Sequence, residues 1–202
     1  PSEINIRDNY IDKNTVDLKN KNNAPQGGGI YARSNFSYIS IERNIITNNK
    51  VIDKEDETYG GGIYAEALEA SEIYINNNSI RQNISETFDK TASGGGIYAI
   101  AEDAFPTTSI LIYSNDILGN KATSNTSAEG GGINAGSKNK AYISIGNGLF
   151  GNSLGNNISE NKAESYTDIA SGGGIHAFVN MTAFMEISEN LQLFIFTKRQ
   201  AI

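Results

Sequence analysis

The hexapeptide GGGIYA at residues 27–32 recurs along the chain, with changes at its fifth position only. The first glycines of the copies lie 33, 34, 36 and 42 residues apart, at Gly27, Gly60, Gly94, Gly130 and Gly172. A single glycine-rich loop can bind phosphate, but no copy is followed by the Lys and Ser/Thr of a phosphate loop or completes GxGxxG with a third glycine. Units of this length, repeated five times, predict a repeat protein instead.

Two more blocks recur in every unit. The first is an Ile-x-Ile pair, which begins at Ile4, Ile39, Ile73, Ile110 and Ile143, with Met185 and Ile187 last. The second is I-x-x-N, which begins at Ile11, Ile46, Ile80 and Ile117, and in the fifth unit at Ile158, after an inserted segment. Each block has the length of a strand, and the length changes fall between blocks, as loops vary on a fixed scaffold.

Short strands with no core of their own bury their apolar residues by stacking coil on coil. We therefore predict an all-β fold, a parallel β-helix of about five to six coils with three short strands per coil. Alternation along GGGIYA places one column inside, Ile30, Ile63, Ile97, Ile133 and Ile175. It places the next column outside, Tyr31, Tyr64, Tyr98, Asn134 and His176. The glycines would allow tight turns and close contact between coils.

Asparagine also recurs in columns. Five residues after each first Ile of Ile-x-Ile stand Asn9, Asn44, Asn78, Asn115, Gly148 and Asn190. Because Asn and Gly both tolerate the left-handed conformation, we predict a turn with positive φ at this column. The I-x-x-N blocks supply a second column, Asn14, Asn49, Asn83 and Asn120. Amide ladders that run from coil to coil are the favoured explanation of these asparagines, with ligand binding as the alternative.

The repeat pattern extends to Asn190 and then stops. We expect residues 1–190 to form the β-helix, as a fragment of a longer one, because the chain opens partway into a unit. Residues 191–202 are expected to be an irregular tail or a cap. The chain is expected to be a monomer, or to associate end to end through its exposed coil ends.

Composition narrows the partners. A net charge of −7 with scattered basic residues argues against nucleic acid, and the chain has no cysteine for a disulfide or a thiolate metal site. No apolar run is long enough for a membrane span.

The recurring GGGI, Ile-x-Ile and I-x-x-N-(K)-A blocks, as at residues 117–122 and 158–163, resemble the repeat of polymorphic outer-membrane proteins and related autotransporter passengers. That family has GGA followed by Ile, Leu or Val, and F-x-x-N; here the third small residue is Gly, and Ile replaces the aromatic residue. The resemblance implies a right-handed coil, secretion, and a passenger exposed on the bacterial cell surface. Similar coils also occur in pectin-lyase-like repeat proteins.

Few residues are candidates for a site. His176, the only histidine, could act as an acid or base or bind metal, but it stands in the outward column that Tyr and Asn occupy elsewhere. That column, Tyr31, Tyr64, Tyr98, Asn134 and His176, is the candidate ligand surface, with sugar stacking as one use and plain cross-strand pairing as the other. The acidic run at residues 53–57 could attract a cation, although a solvated loop is the favoured interpretation.

These features predict a non-catalytic structural or adhesive module, with cell-surface proteins or glycans as partners and no cofactor, metal or catalytic residue. The alternative is a β-helix that binds or degrades polysaccharide, as pectate lyases do. Such enzymes need carboxylates close together, or calcium with a positioned Arg or Lys, whereas the carboxylates and arginines here share no column. Calcium-binding and ice-binding repeats are disfavoured, because the glycine runs carry no recurring Asp and no outward Thr-x-Thr array occurs.

Overall fold

The computed structural model describes residues 2–18, 24–102, 108–139, 141–146, 155–179, 184–187 and 191–192. Within them the chain forms 26 strands and no helix. The strands pair in parallel, each with its counterpart one repeat away. The predicted parallel β-helix is therefore confirmed, as a solenoid with four complete turns between two partial ones, which is fewer than the predicted five to six coils.

The strands follow one another in a fixed order around each turn. The first, partial turn contains β1 (Ser2–Arg7), β2 (Tyr10–Asp12), β3 (Thr15–Asp17) and β4 (Ile30–Asn35). Turn 1 contains β5 (Ser37–Glu42), β6 (Ile45–Thr47), β7 (Lys50–Asp53), β8 (Thr58–Tyr59) and β9 (Ile63–Leu68). Turn 2 contains β10 (Glu72–Asn76), β11 (Ser79–Arg81), β12 (Ile84–Thr87), β13 (Thr91–Ser93) and β14 (Ile97–Ala101).

The second half of the chain repeats this order. Turn 3 contains β15 (Ser109–Tyr113), β16 (Asp116–Leu118), β17 (Lys121–Ser124), β18 (Ser127–Glu129) and β19 (Ile133–Ser137). Turn 4 contains β20 (Tyr142–Gly146), β21 (Asn157–Ser159), β22 (Lys162–Ser165), β23 (Ala170–Ser171) and β24 (Ile175–Val179). The last, partial turn contains β25 (Phe184–Ile187) and β26 (Leu191–Gln192).

The strands assemble into five sheets that run along the solenoid. Sheet 1 holds β1, β5, β10, β15, β20 and β25, and sheet 2 holds β2, β6, β11, β16, β21 and β26. Sheet 3 holds β3, β7, β12, β17 and β22, sheet 4 holds β8, β13, β18 and β23, and sheet 5 holds β4, β9, β14, β19 and β24. A complete turn thus has five strands rather than the predicted three. Sheets 3 and 4 turn mostly Ala, Ser and Thr inward, so they carry no recurring Ile to reveal them.

The main core lies between sheets 1, 2 and 5. It contains the Ile-x-Ile pairs of the four complete turns, the Ile of each I-x-x-N block and the predicted inward column. That column is Ile30, Ile63, Ile97, Ile133 and Ile175, whose members are at most 8% exposed. The five pair in register from turn to turn, so that prediction is confirmed. Burial of a side chain of this size contributes about 1.5–3 kcal/mol to the free energy of folding.

A second, smaller core lies between sheets 3 and 4. Its buried members are alanines, Ala92, Ala122, Ala128 and Ala163. The glycine triplets separate it from the main core. A Cβ on Gly95 would lie 2.4 Å from the main-chain carbon of Lys121, and one on Gly96 would lie 3.1 Å from the side chain of Asn120. Each triplet therefore packs directly against the main chain at the corner between sheets 2 and 3. The gap between the triplet and that corner is too narrow for a side chain on the glycines.

The first glycine of each triplet has a second constraint, a positive φ of 59° to 66°. The predicted roles of the glycines, a tight turn and close contact between coils, are confirmed. The space beside Gly95 is bounded by main-chain atoms of Lys121 and Gly131 rather than by apolar side chains.

Both asparagine columns form ladders. From Asn44 onward, each amide oxygen accepts from the main-chain N and the Nδ2 of the asparagine one turn earlier, at 2.8–3.1 Å. Each Nδ2 from Asn44 onward donates to a main-chain oxygen of the preceding turn as well, for example Asn83 to Ile46. The predicted ladders are confirmed. They satisfy the hydrogen-bonding groups of asparagine side chains that are fully buried, such as Asn49 and Asn83 at 0% exposure.

The predicted turn conformation is wrong by one residue. Positive φ occurs just before each asparagine, at Asp8, Arg43, Asn77 and Ser114 in the first column and at Lys13, Asn48, Gln82, Gly119 and Glu160 in the second. The asparagines themselves need their amides in the ladder. In the unit with the insertion, Asn156 accepts from Asn115 and so takes the ladder position that we assigned to Gly148. Gly148 and Asn190 lie outside the described residues.

The late I-x-x-N block is confirmed, since Ile158 pairs in register with Ile117. At the other end of the pattern, Leu191–Gln192 of the predicted tail pairs in parallel with Asn157 and Ile158 in sheet 2.

Candidate functional site

The predicted ligand column lies on the outer face of sheet 5. Tyr31, Tyr64, Tyr98, Asn134 and His176 pair in register there, each next to a buried Ile of the inward column. Strand alternation is thus as predicted. Their exposure is very uneven, however, since Tyr31 is 51% exposed whereas Tyr64 is 6% and Asn134 is 1% exposed. Pointing away from the core does not leave these side chains open to solvent.

The tyrosines of the column cover one another. The rings of Tyr31 and Tyr64 are stacked at 5.1 Å with an angle of 1°, and those of Tyr64 and Tyr98 at 5.4 Å with an angle of 10°. Both faces of the Tyr64 ring are therefore turned to neighbouring rings. A sugar could stack only on the free face of Tyr31, so the geometry favours cross-strand pairing as the main role of the stack.

Tyr59 of sheet 4 closes the stack from the side. Its ring centroid lies 4.7 Å from that of Tyr98 and 6.5 Å from that of Tyr64, and its hydroxyl donates to Glu57. Burial raises the pKa of Tyr59, Tyr64 and Tyr98 above the ordinary value, and nearby carboxylates raise it further. The hydroxyls therefore stay protonated well beyond neutral pH.

Three polar groups converge at the other end of the column, in turns 3 and 4. Asn134 donates from Nδ2 to Glu129 Oε2 at 3.0 Å, and His176 Nδ1 lies 3.7 Å from the same oxygen. Asn134 Oδ1 and His176 Nδ1 are both buried, and neither has a hydrogen-bond partner. Phe178, whose ring centroid is 6.3 Å from that of His176, packs over Gly136 beside them. We call Glu129, Asn134 and His176 the polar cluster.

The charge of Glu129 distinguishes it from its neighbours. Glu66 pairs with Arg33 at 3.0 Å, and Glu102 pairs with Lys138 at 2.5 Å. No Lys or Arg within the described part of the chain pairs with Glu129, and the ring nitrogen nearest to its carboxylate is Nδ1 of His176. The cluster is therefore a half-buried carboxylate with one imidazole and one amide beside it.

Sequence reasoning placed Asn134 and His176 but missed Glu129 and Tyr59. Both precede a glycine triplet, in a column of sheet 4 that also holds Ser93 and Ser171. The position just before the triplet was the available signal. Because its residues differ from turn to turn, it did not stand out as a repeat.

The acidic run at residues 53–57 is a turn between sheets 3 and 4. Asp53, only 7% exposed, accepts from the main-chain N of Glu55 at 2.8 Å and of Asp56 at 2.9 Å. The first carboxylate of the run thus caps the turn, as Asp commonly does. Among the described residues, no group of three or more His, Cys, Asp or Glu side chains is arranged to hold a metal ion.

Comparison with known proteins adds no assignment: no protein-family model, curated protein or solved structure matches the chain. In the part that the structure describes, no helix is sufficiently long and apolar to cross a membrane.

Proposed function

We propose that this chain is a non-catalytic β-solenoid module of a secreted or surface-exposed protein, with a structural or adhesive role. The observation that carries the proposal is that the recurring residues make the contacts between neighbouring coils. The isoleucines fill the core, the glycines allow close contact across the interior, and the asparagines bond to one another. Such a scaffold is stiff along its axis, while its turns differ from one coil to the next.

The proposed surface location rests on a resemblance: the GGGI and I-x-x-N blocks are similar to the repeat of autotransporter passengers. In that setting the solenoid would hold its variable turns away from the cell, where they meet cell-surface proteins or glycans. Stiffness serves this role, because it keeps the turns at a fixed distance and in a fixed order.

The experiment pairs binding with turnover. The purified chain is passed over immobilised glycans and extracellular proteins, and is incubated with pectate and other polysaccharides while reducing ends and unsaturated products are followed. We expect retention on at least one surface and no cleavage. Turnover that is lost in His176→Asn would overturn the non-catalytic assignment, and absence of retention on every surface would contradict the adhesive role.

A second candidate, glycan binding, is favoured by the turns between sheets 3 and 4. Phe88 and Tyr166 are 60% and 63% exposed and take equivalent places there, two turns apart. Two strand spacings separate such positions by about 10 Å. Open aromatic rings at intervals along a rigid edge suit stacking with a polysaccharide.

This candidate has its own test. Replacing both exposed rings, by Phe88→Ser with Tyr166→Ser, should abolish retention on a polysaccharide gel. The control Tyr31→Ser removes an exposed ring from sheet 5 and should leave retention intact. Equal loss in both variants would contradict glycan binding by these turns.

A further inference from the structure

The polar cluster contains unmet hydrogen-bonding capacity that the fold does not explain. Asn134 is 1% exposed, and its Oδ1 is a buried acceptor without a partner. In the next turn His176 Nδ1 is buried and lacks a partner too. Elsewhere the solenoid satisfies most of its buried asparagines in ladders. Among the described residues the hydroxyls of Thr108 and Thr123 also lack partners, but only Asn134 and His176 are two such residues paired with each other in adjacent turns. A buried polar group without a partner destabilises the fold, and a ligand that bonds to it would remove that cost.

We propose that Glu129, Asn134 and His176 bind one divalent transition-metal ion, with Zn²⁺ as the best fit. Each residue offers a donor: the Glu129 carboxylate, the amide oxygen of Asn134 and the imidazole Nδ1 of His176. The three come from adjacent turns, β18 and the start of β19 in one and β24 in the next.

The spacing suits an ion held between donors. His176 Nδ1 and Glu129 Oε2 are 3.7 Å apart. Two ligands of a tetrahedral Zn²⁺, each about 2.1 Å from the metal, lie about 3.4 Å from one another. A shift of a few tenths of an ångström would therefore bring both into coordination. Asn134 contacts the same Glu129 oxygen at 3.0 Å through Nδ2, so its amide would turn over to present Oδ1 to the ion.

The donor set selects the metal class. Ca²⁺ takes six to eight oxygen ligands and Mg²⁺ prefers oxygen with several waters, so an imidazole with two oxygens fits neither well. Imidazole nitrogen suits Zn²⁺, Cu²⁺ and Ni²⁺. Glu129 supplies negative charge that no described Lys or Arg neutralises. Three protein ligands also leave one position of a tetrahedral ion for water.

The ion has a route from solvent. The side chains of His176 and Glu129 are 25% and 31% exposed, so the cluster opens on the outer surface of the solenoid while Asn134 Oδ1 and His176 Nδ1 are covered. Glu57 lies near Tyr98, the neighbour of Asn134 in the column, and adds to the negative potential around the entrance, whereas Glu66 and Glu102 are paired with Arg33 and Lys138. A cation is drawn to this part of sheet 5.

The first test uses the only histidine as a spectroscopic probe. A ¹⁵N-labelled chain, stripped of metal, is titrated with ZnCl₂ while the imidazole nitrogens are followed by NMR. We expect Nδ1 to shift and the shift to saturate at one equivalent. An imidazole that is unchanged at ten equivalents would overturn the proposal, and this measurement needs no variant.

The second test compares variants by calorimetric titration with Zn²⁺. His176→Asn introduces the residue that fills this column one turn earlier, and Glu129→Gln keeps size and polarity, so both should fold. Each is expected to weaken binding at least tenfold. The control Glu164→Gln removes a carboxylate of turn 4 that pairs with Lys121 at 2.7 Å, and should leave binding unchanged. Equal affinity in all four proteins would overturn the site.

Discussion

Asn115 Oδ1 accepts two hydrogen bonds from Asn78 of the preceding turn, one from the main-chain N at 2.9 Å and one from Nδ2 at 3.1 Å. Asn78 in turn accepts the same pair from Asn44, and its Nδ2 also donates to the main-chain oxygen of Ile41. Each amide from Asn44 onward thus satisfies a main-chain N and a main-chain oxygen of the preceding turn, and bonds to the next asparagine through its side chain. The ladder is how the solenoid turns a corner without burying unpaired main-chain groups.

The glycine triplets lead to a prediction about space alone. Gly95→Ala puts a Cβ 2.4 Å from main-chain atoms of Lys121, which cannot move without disturbing sheet 3. We expect the free energy of unfolding to fall by about 3 kcal/mol or more. Gly119→Ala is the matched control, because Gly119 has φ 65° but its nearest atom is 3.8 Å away, so its cost should be only about 1 kcal/mol. Urea melts that give equal costs would contradict close packing at the triplet.

The tyrosine stack predicts a gradient of stability along the column. Tyr64 is 6% exposed and its ring lies between two others, so Tyr64→Ala leaves a cavity in the stack. The free energy of unfolding should fall by about 3 kcal/mol. Tyr31→Ala removes a ring that is 51% exposed and stacked on one face, and should cost about 1 kcal/mol. Denaturant unfolding measures both. A larger loss for Tyr31→Ala would show that the stack is not what protects Tyr64.

Much of this architecture could be predicted from the sequence, because the residues that stabilise it recur in every turn. The inward isoleucines, the glycine triplets and the amide ladders each need the same residue in every turn, so they form visible columns. Positive φ is different: it falls on residues as unlike as Asp8, Arg43 and Ser114. Any residue can adopt it at about 1–2 kcal/mol, so the sequence does not mark it, and we assigned it to the asparagine one residue later.

The candidate site was only half predictable for the same reason. His176 and Asn134 stand in a column that the hexapeptide marks, whereas Glu129 stands where other turns have Tyr59, Ser93 and Ser171. A residue that occurs once leaves no periodic signal. Its position beside the column depends on the path of sheet 4, which the predicted three-strand coil did not include.

Alkaline pH should destabilise the fold through the buried tyrosines. Burial raises the pKa of Tyr64 and Tyr98 in the folded state, while in the unfolded chain a tyrosine titrates near pH 10. Below pH 10 both states keep the proton, and stability is unaffected. Above it the unfolded chain releases protons that the folded chain retains, so the free energy of unfolding falls as pH rises.

The contribution of Tyr64 to this pH dependence can be measured separately. Each such tyrosine contributes up to about 1.4 kcal/mol per pH unit, so Tyr64→Phe should reduce the slope by that amount. Tyr10→Phe, at a ring that is 68% exposed, is the control and should leave the slope unchanged. Chemical unfolding at a series of pH values above 10 measures it. An unchanged slope in Tyr64→Phe would contradict the burial of its hydroxyl.

The central claim is that the recurring residues hold coils together, and adjacent asparagines test it most directly. The measurement is the free energy of unfolding of Asn77→Gly and Asn78→Gly. Asn77 is exposed with φ 54°, so glycine there should be neutral or slightly stabilising. Asn78→Gly breaks the ladder and strands the main-chain N of Asn44 and the oxygen of Ile41, which should cost about 3 kcal/mol or more. Equal free energies for the two variants, or a greater loss at Asn77, would contradict the account.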